Sequence, residues 1–280
     1  MSLCTAYRTM GSVDTLTSSD FGGSMAPEST SFEVPGLARE IRVKIATEAE
    51  EFEGAFELLA ANYRARGYEP AGDKPFRFCP HHALPGTVTL VAEHDGKIVA
   101  TLSLVPDTDL LGLPMESIYG EEVVGLRREG RRMAEAICLA DTGLSIREFV
   151  QVFKSLIKLA MQYHTSRGGD TWVIVVNPRH AGFYQKVLGF EAMGPQRSYP
   201  SVQNAPAVAY LLDSDLMKAN APAMFEEVFG EDLPEAVLSA HEWSVDRVRY
   251  FGGLSSQVDE ETLDGLLESI DNCEGSPRWF

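Results

Sequence analysis

Residues 171–190 read TWVIVVNPRHAGFYQKVLGF. The first six, Thr171–Val176, are almost wholly apolar, which is typical of a strand covered on both faces. An Asn-Pro turn follows, and the chain then makes barely two helical turns before it reaches Gly189-Phe190. A buried strand, a tight turn and a short helix in this order predict one wall of a ligand cleft.

The sequence on either side predicts an α/β (α+β) protein with a mixed central sheet. Ile41, Val43 and Ile45 alternate with basic residues, as in a strand with one polar face. Two capping boxes, Thr47 with Glu50 and Ser145 with Glu148, predict the starts of two amphipathic helices. The remaining predicted elements are strands at 87–93 and 97–106 joined by an Asp-Gly turn, short helical pieces in an insertion at 107–132, and strands at 133–140, 191–194 and 207–213.

Composition and charge divide the chain into three predicted parts. Residues 1–38 are rich in Ser, Thr and Gly and predict a flexible leader, whereas 39–213 predict a folded core. Residues 214–280 predict an acidic helical C-terminal extension. Residues 213–280 hold 16 acids and 4 bases, which is most of the net charge of −17. Nucleic acid is excluded as a partner, because binding phosphates requires a basic surface.

Other site classes and destinations are also disfavoured by the sequence. It contains no run of 18 uncharged apolar residues, so no integral membrane span is expected. The four cysteines are scattered without a CxxC pair, so neither a disulfide framework nor a zinc site is expected. His81-His82 is interpreted as a loop feature rather than a metal pair, and no metal is predicted. Residues 1–35 lack a secretory signal, and a reducing cytoplasm is the expected location.

The block N-P-x-H-x-x-F-Y-x-x-x-L-G-F at 177–190 and the order of elements resemble the GNAT acyl-CoA N-acyltransferase-like fold. The resemblance implies that two adjacent parallel strands, here 133–140 and 171–176, splay apart. The pantetheine arm of an acyl donor would then lie between them and satisfy strand amides that are otherwise costly to bury.

A narrower resemblance is carried by four stretches, RVKIATEAEEFEGAFELLAANYRARGYEP, GKIVATLSLVPDTDLLGLPMESIY, LRREGRRMAEAICLA and VNPRHAGFYQKVLGFEAMGPQRSYPSVQNAPAV. They are similar to the bacterial long-chain N-acyl amino acid synthases, which are related to the acyl-homoserine-lactone autoinducer synthases. The resemblance spans about residues 41–213. It implies transfer of a long acyl group from acyl-acyl carrier protein to the α-amine of an amino acid.

One departure from the wider family bears on the acyl donor. Acetyl-CoA-using members carry a Gln/Arg-x-x-Gly-x-Gly/Ala loop after the first splayed strand, whose amides hold the pyrophosphate. Here the loop reads LADTGLSIREF, with Gly143 alone. The loss of glycines favours an acyl-phosphopantetheine donor on a carrier protein, with no other cofactor. A degenerate CoA loop, and hence an acyl-CoA donor, is the alternative.

Two residues are candidates for the chemistry. Glu135 lies in an apolar stretch of the first splayed strand and matches a glutamate of the autoinducer synthases. It is interpreted as the base, direct or through water, that deprotonates the substrate ammonium; the alternative is a structural ion pair with an arginine such as Arg132. Tyr184 corresponds to a tyrosine that protonates the leaving thiolate in many GNAT enzymes. Its spacing to Gly189 is one residue too long, which would rotate the ring by about 100° on an α-helix, so a packing role is the alternative.

Further residues are candidates for binding donor or substrate. Arg131 and Arg132 belong to the cluster RREGRR and, with three basic residues of the following helix, offer an acidic carrier protein a positive patch; a solvated charged loop is the alternative.

Arg77 is a candidate for the substrate carboxylate. Asp107 would pair with an arginine, orient the substrate or cap a turn. The resemblance adds Ala136, Cys138, Asn177, His180 and Phe183. Cys138 also suits a small core position, and His180 suits a cap of the short helix.

Three functions remain in competition at this point. The first is the N-acyltransferase just described, acting by direct amine attack on the thioester, since no Ser or Cys nucleophile motif is present. The second is an acetyl-CoA-dependent N-acetyltransferase of a small amine or a protein. The third is a catalytically silent module that binds an acyl chain.

Overall fold

The computed structural model describes residues 29–69 and 72–271 of the chain. The strands are β1 Ser31–Glu33, β2 Arg42–Ile45, β3 Val88–His94, β4 Lys97–Pro106, β5 Met133–Asp141, β6 Thr171–Val176, β7 Glu191–Ala192, β8 Arg197–Tyr199 and β9 Ala205–Asp213. The helices are α1 Ala49–Ala65, α2 Glu116–Arg128, α3 Ile146–Ser166, α4 Pro178–Phe183, α5 Ser214–Asn220, α6 Pro222–Phe229, α7 Val245–Gly253 and α8 Glu260–Asp271.

The strands form one mixed sheet in the order β1-β2-β3-β4-β5-β6-β9-β7, and β8 pairs with β9. Of the pairs in the described chain, β5 with β6 is parallel and the others are antiparallel. Helices α1 and α3 cover opposite faces. Leu90 and Ala92 of β3 belong to the core cluster that contains α3, whereas Val91 between them belongs to the cluster that contains α1.

The parallel pair β5–β6 opens after three residue pairs. Its register runs from Met133↔Thr171 to Glu135↔Val173 and stops there. Beyond that point β5 follows β4 and β6 follows β9, so the two strands diverge. The predicted splay is therefore present. Peptide groups of β5 that would bond to β6 beyond Glu135 face the space between the strands instead.

A bulge accompanies the splay. Cys138 has a φ of 60°, in the left-handed region, and the β4–β5 register shifts between Thr101 and Ser103. One extra residue on β5 at this place re-aims the side chains that follow. As a result Cys138 packs against the α1 cluster.

The predicted helix starts are found, one of them displaced. Ser145 and Glu148 form the expected capping box of α3. At α1 the box is formed by Glu48 with Glu51, so the prediction of Thr47 with Glu50 is wrong by one residue. The reason is that the Glu51 carboxylate accepts both the Thr47 and the Glu48 amide, at 2.8 and 3.1 Å.

The boundary at residue 38 needs a correction. Residues 1–28 lie outside the described residues, but Ser31–Glu33 form β1, which pairs with β2. Val34 beyond it is 1% exposed. The folded core therefore begins near residue 31 rather than at 39. Three strand residues are too few to show alternation, so the serine-rich composition dominated the prediction.

The C-terminal extension is part of the folded core over its described length. Helices α5 and α6 bury Met217, Met224 and Val228 in the α3 cluster. Helix α7 buries Val248 and Phe251 against the aromatic residues of α1. Of the helices in the described part of the chain, none combines the length and the apolar composition that a bilayer crossing requires.

Candidate active site

A cavity of about 800 Å³ occupies the gap between β5 and β6. Both splayed strands line it, β5 through Glu135–Leu139 and β6 through Ile174–Val176. Because the gap lies within the sheet, the cavity is lined from the α3 face and from the α1 face alike. The two sides differ in chemistry.

The side of the cavity under α3, which we name the apolar half, is lined by apolar side chains. Helix α3 presents one stripe of large side chains toward the sheet, as its amphipathic sequence predicts. The stripe, the strands opposite and the segment before β7 contribute Phe149, Val150, Phe153, Ile157, Ala160, Met161, Leu102, Leu104, Trp172, Ile174, Leu188 and Phe190.

The side toward α1 and α2, which we name the polar half, gathers ionisable groups. It is lined by Tyr63, Arg77, Cys79, His81, Glu135, Cys138 and Tyr199. These groups are near one another: burial raises the pKa of Tyr199, and the Glu135 carboxylate adds to that rise. Burial lowers the pKa of His81 to about 4, so its imidazole is neutral.

Glu135 is the acidic group of the polar half. Its side chain is on the α2 face of β5, only 2% of the residue is exposed, and Oε2 accepts the Met115 amide at 2.7 Å. Burial raises its pKa to about 8, against the opposing Met115 hydrogen bond and with a further rise from Glu116. The alternative of an ion pair with Arg132 is wrong, because Arg132 binds Asp170 at 3.1 Å.

The Met115 amide is held in place by an ion-pair cluster behind it. Arg127 donates to both oxygens of Asp107, at 2.7 and 2.6 Å, and also to Glu116. Glu116 in turn accepts the Leu113 amide at 2.7 Å, which fixes the turn before α2. Asp107 therefore pairs with an arginine, one of the predicted options. It lines a second, smaller cavity and is not among the residues that line the main one.

Arg77 lies in the wall of the polar half, as a carboxylate-binding residue would. It is 8% exposed, and one guanidinium nitrogen donates to Glu69 at 3.0 Å. The guanidinium carbon is 3.9 Å from the centre of the Tyr63 ring. The single bond to Glu69 leaves other N–H groups of the fork for a ligand.

Ala136 and Cys138 both line the cavity, on either side of the sheet gap. Ala136 packs with the α3 cluster, so its small side chain leaves room where the apolar half begins. Burial raises the pKa of the Cys138 thiol, so this residue remains a neutral thiol. It combines the two predicted roles of core residue and cavity lining.

Tyr184 begins a π-helical turn, Tyr184–Leu188, that follows α4 directly. The amide of Gly189 reaches back to the Tyr184 carbonyl, five residues earlier. This wider turn absorbs the extra residue before Gly189, so the predicted rotation on a regular α-helix does not apply. Tyr184 lines the cavity and packs edge-on against Phe153 and Phe190. Burial raises its pKa to about 12.

The cavity opens to solvent at the carboxyl ends of β5 and β6, and we name this opening the mouth. Its exposed lining residues are Arg66, Ile146, Arg179 and His180.

Asn177 caps α4 by accepting the Arg179 amide at 3.2 Å. The predicted capping role of His180 is therefore wrong. Phe183 lines the cavity and packs on Phe153 with ring centres 5.2 Å apart.

The mouth carries two arginines, Arg66 and Arg179. Arg179 donates to Tyr68 and His180, Arg66 donates to Asn62, and neither forms an ion pair within residues 29–69 and 72–271. Burial lowers the pKa of His180, and the charges of Arg179 and Arg66 lower it further. Two arginines and a histidine whose lowered pKa favours its neutral form therefore meet at the opening of a strongly acidic protein.

Arg131 and Arg132 are at the opposite end of β5. They precede Met133, and the mouth lies beyond Asp141, about 26 Å away along an extended strand. Arg131 binds Asp213 at 3.0 Å, so both arginines of the predicted docking patch have carboxylate partners. On the next helix, Lys154 and Lys158 pair with glutamates of the C-terminal extension. Arg131 and Arg132 are therefore remote from the mouth, whereas Arg147, the residue after Ile146, lies near it and donates to the Gly36 carbonyl.

The loop after β5 satisfies its own amides. Asp141 accepts the amides of Gly143 and Leu144 at 2.7 and 2.8 Å. Glu148 accepts the Ser145 amide at 3.0 Å. These amides occupy the place that holds a pyrophosphate in the CoA-using pattern, and here two carboxylates fill it.

Sequence reasoning missed some residues of the site. Tyr199 is the last residue of β8, a three-residue strand without a periodic pattern. The Met115 amide comes from the insertion at 107–132, where no motif marks a backbone donor. Gln257 lines the cavity from the C-terminal extension, far outside the stretches that carried the resemblance.

Comparisons with known proteins agree with this geometry. Residues 54–213 match the family model described as N-acyl amino acid synthase FeeM. The structure of FeeM, an N-acyl amino acid synthase from uncultured soil microbes, has 30% identity and a TM-score of 0.57, covering 66% of this chain and 96% of that one. No curated protein matches the sequence.

A more distant solved structure shows the same architecture. The acyl-homoserine-lactone (AHL) synthase LasI has 14% identity and a TM-score of 0.50, covering 69% of this chain and 96% of that one. The expected GNAT-like fold with a mixed, splayed sheet is confirmed.

Proposed function

Because this chain belongs to the N-acyl amino acid synthase FeeM family and is an acyltransferase, we propose that it transfers a long-chain acyl group from an acyl carrier protein to the α-amine of an amino acid. The observation that carries the proposal is the passage through the sheet, with an apolar half on one face and a polar half on the other. A long acyl thioester and a charged amine require these two environments.

The proposed reaction places the thioester in the gap between β5 and β6. The amide-rich tether of the donor enters at the mouth and pairs with β5 peptide groups that lack a strand partner. The acyl chain extends into the apolar half. β5 peptide N–H groups directed into the gap would stabilise the oxyanion that forms on the thioester carbonyl.

Glu135 supplies the base on the other side of the gap. Only a neutral amine attacks a thioester, and an α-ammonium must first lose a proton. With a pKa near 8, the Glu135 carboxylate is matched to that proton far better than an exposed glutamate would be. The neutral amine then forms the C–N bond, the C–S bond breaks, the carrier leaves as a thiolate, and the nitrogen releases its remaining extra proton to solvent as the amide product forms.

A carrier-bound donor is favoured over CoA by the loop after β5. The carboxylates of Asp141 and Glu148 already accept the amides of Gly143, Leu144 and Ser145. A pyrophosphate would have to displace these groups against their negative charge. An acetyl donor would, in addition, leave the apolar half unfilled.

The mouth supplies a docking surface for the carrier protein. Acyl carrier proteins are acidic, and so is this chain, so docking requires a local positive surface. Arg66 and Arg179 provide it beside the opening. Ile146, which is 86% exposed at the start of α3, adds an apolar contact at the same place.

The function is tested by incubating the purified protein with pooled amino acids and one donor at a time. The donors are palmitoyl-carrier protein, palmitoyl-CoA and acetyl-CoA, and products are identified by mass. We expect N-palmitoyl amino acid from the carrier-bound donor at a rate well above that from either CoA thioester. Acetylated products at a higher rate would replace the proposal by the acetyltransferase alternative, and no product from any donor would reject acyl transfer to amino acids.

A further inference from the structure

Residues 255–257 of the C-terminal extension form part of the wall of the polar half. They connect α7 with α8 and lie outside residues 54–213, which match the family model. Gln257 lines the cavity together with Arg77 and Tyr63. The extension therefore reaches the site although the family resemblance ends before it.

Ser255 anchors this segment to the loop that carries Arg77. It is 1% exposed, its hydroxyl donates to the Phe78 carbonyl at 2.5 Å, and the same oxygen accepts the Phe78 amide at 3.2 Å. Ser255 also forms a β-bridge with Phe76. The segment is thus bonded to both neighbours of Arg77.

Aromatic packing holds the segment from behind. Phe251 of α7 is fully buried and contacts Phe56 and Phe76, with ring centres 5.1 and 5.2 Å apart. Trp243, ahead of α7, packs edge-on against Phe52 at 4.9 Å. Because α7 is fixed on α1 in this way, residues 255–257 have a defined position at the cavity.

Ser256 is connected to Arg77 by hydrogen bonds through the Glu69 carboxylate. Its hydroxyl donates to Oε1 of Glu69, and Oε2 of the same carboxylate accepts Arg77 at 3.0 Å. Glu69 is 4% exposed, so its carboxylate depends on these partners, and on Arg64 at 3.9 Å from Oε1, for the interactions that water would otherwise provide. The orientation of the guanidinium over Tyr63 follows from this chain of contacts.

We propose that the segment 255–257 completes the binding site for the acceptor amino acid. Arg77 binds the acceptor carboxylate, Ser256 is a positioning residue that orients Arg77 through Glu69, and Gln257 presents its side chain to the acceptor from the cavity wall. The inference rests on the proposed function. It assigns acceptor recognition in part to an element that the family model does not include.

The test compares Ser256→Ala and Gln257→Ala with the wild-type enzyme, using palmitoyl-carrier protein and the amino acid that the wild type acylates. We expect KM for the amino acid to rise about 10-fold, the effect of one weakened hydrogen bond to a charged group. KM for the donor and kcat at saturating amino acid should stay unchanged. Ser256→Thr, which keeps the hydroxyl, should restore the wild-type KM.

Two controls separate positioning from a general structural effect. Ser269→Ala removes another hydroxyl of the extension, one that donates to the Gly265 carbonyl away from the cavity, and should change nothing. The decarboxylated amine analogue of the acceptor should have the same KM with wild type and Ser256→Ala, because Arg77 has no carboxylate to bind.

The outcomes discriminate between the inference and the function on which it rests. If the wild type acylates amino acids and both alanine variants have the same KM for the amino acid as the wild type, the inference is rejected and the proposed function stands. For Ser256→Ala, equal losses for the amino acid and its decarboxylated analogue also reject it, since a distorted fold would affect both. A wild type that forms no acyl amino acid rejects the proposed function and the inference together.

Discussion

The same physical condition has opposite chemical consequences in the two halves of the cavity. Each half surrounds an ionisable side chain, Glu135 or Tyr184, with protein, and such burial disfavours charge. In the polar half this raises the pKa of Glu135 to about 8, where a carboxylate becomes a useful base. In the apolar half it raises the pKa of Tyr184 to about 12, where a phenol holds its proton and only fills space. The comparison indicates that chemistry is confined to one side of the sheet and chain recognition to the other.

The strongest test of this division is Glu135→Gln. The amide keeps an oxygen to accept the Met115 hydrogen bond but has no basicity, so we expect kcat to fall by about 100-fold or more, the usual contribution of a positioned base. Steady-state kinetics at saturating donor and acceptor measure it, and circular dichroism checks that the fold is intact. Near-normal turnover would remove Glu135 from the mechanism and end the contrast between the halves.

The raised pKa of Glu135 has a consequence for stability that needs no substrate. The folded state holds this proton up to about pH 8, against an ordinary value of 4.5, so the carboxyl stabilises the fold at low pH and loses this contribution as pH rises toward 8. The melting temperature of the wild type should therefore fall relative to Glu135→Gln between pH 5 and pH 8. Parallel curves would show that Glu135 is not buried as described.

The apolar half is tested by filling it. Ala160 lines it from α3 and is 2% exposed, so Ala160→Phe should occupy space that the end of a long chain requires. If four methylenes are excluded, at about 0.8 kcal/mol each, kcat/KM for palmitoyl donors should fall on the order of 100-fold. A butyryl donor is the internal control and should keep its rate. Equal losses for both donors would place the acyl chain elsewhere.

The sequence predicts much of this division, but only where the pattern lies within a single strand or helix. The apolar run Thr171–Val176 and the stripe of α3 predict the splayed strands and the apolar half, because periodicity records which face is buried. Glu135 was identified because a carboxylate in an apolar strand needs an explanation. The contact between Ser255 and Phe78 joins residues 177 positions apart and has no local signature. Proximity in sequence to β5 was likewise misleading for Arg131 and Arg132, since β5 separates them from the mouth.

The position of the mouth can be tested by charge reversal. We expect Arg179→Glu combined with Ile146→Asp to raise KM for palmitoyl-carrier protein about 10-fold, because an interface charge pair and an apolar contact are lost. KM for a palmitoyl thioester of N-acetylcysteamine, which has no protein to dock, should be unaffected. Arg131→Glu with Arg132→Glu is the matched control at the far end of β5. A larger effect from the control pair would return the docking site to the cluster at 127–132.

The smallest expected effect concerns the hydroxyl of Tyr184, which decides whether the apolar half is chemically silent. A phenol with a pKa of about 12 is a poor acid toward a leaving thiolate, whose thiol has a pKa of about 8.5 when free. Proton transfer would run uphill by more than three pKa units, and the thiolate departs without it near neutral pH. Tyr184→Phe keeps the ring that packs on Phe153 and Phe190. Single-turnover rates should therefore fall less than tenfold, whereas a loss comparable to that of Glu135→Gln would mean that both faces of the sheet take part in proton transfer.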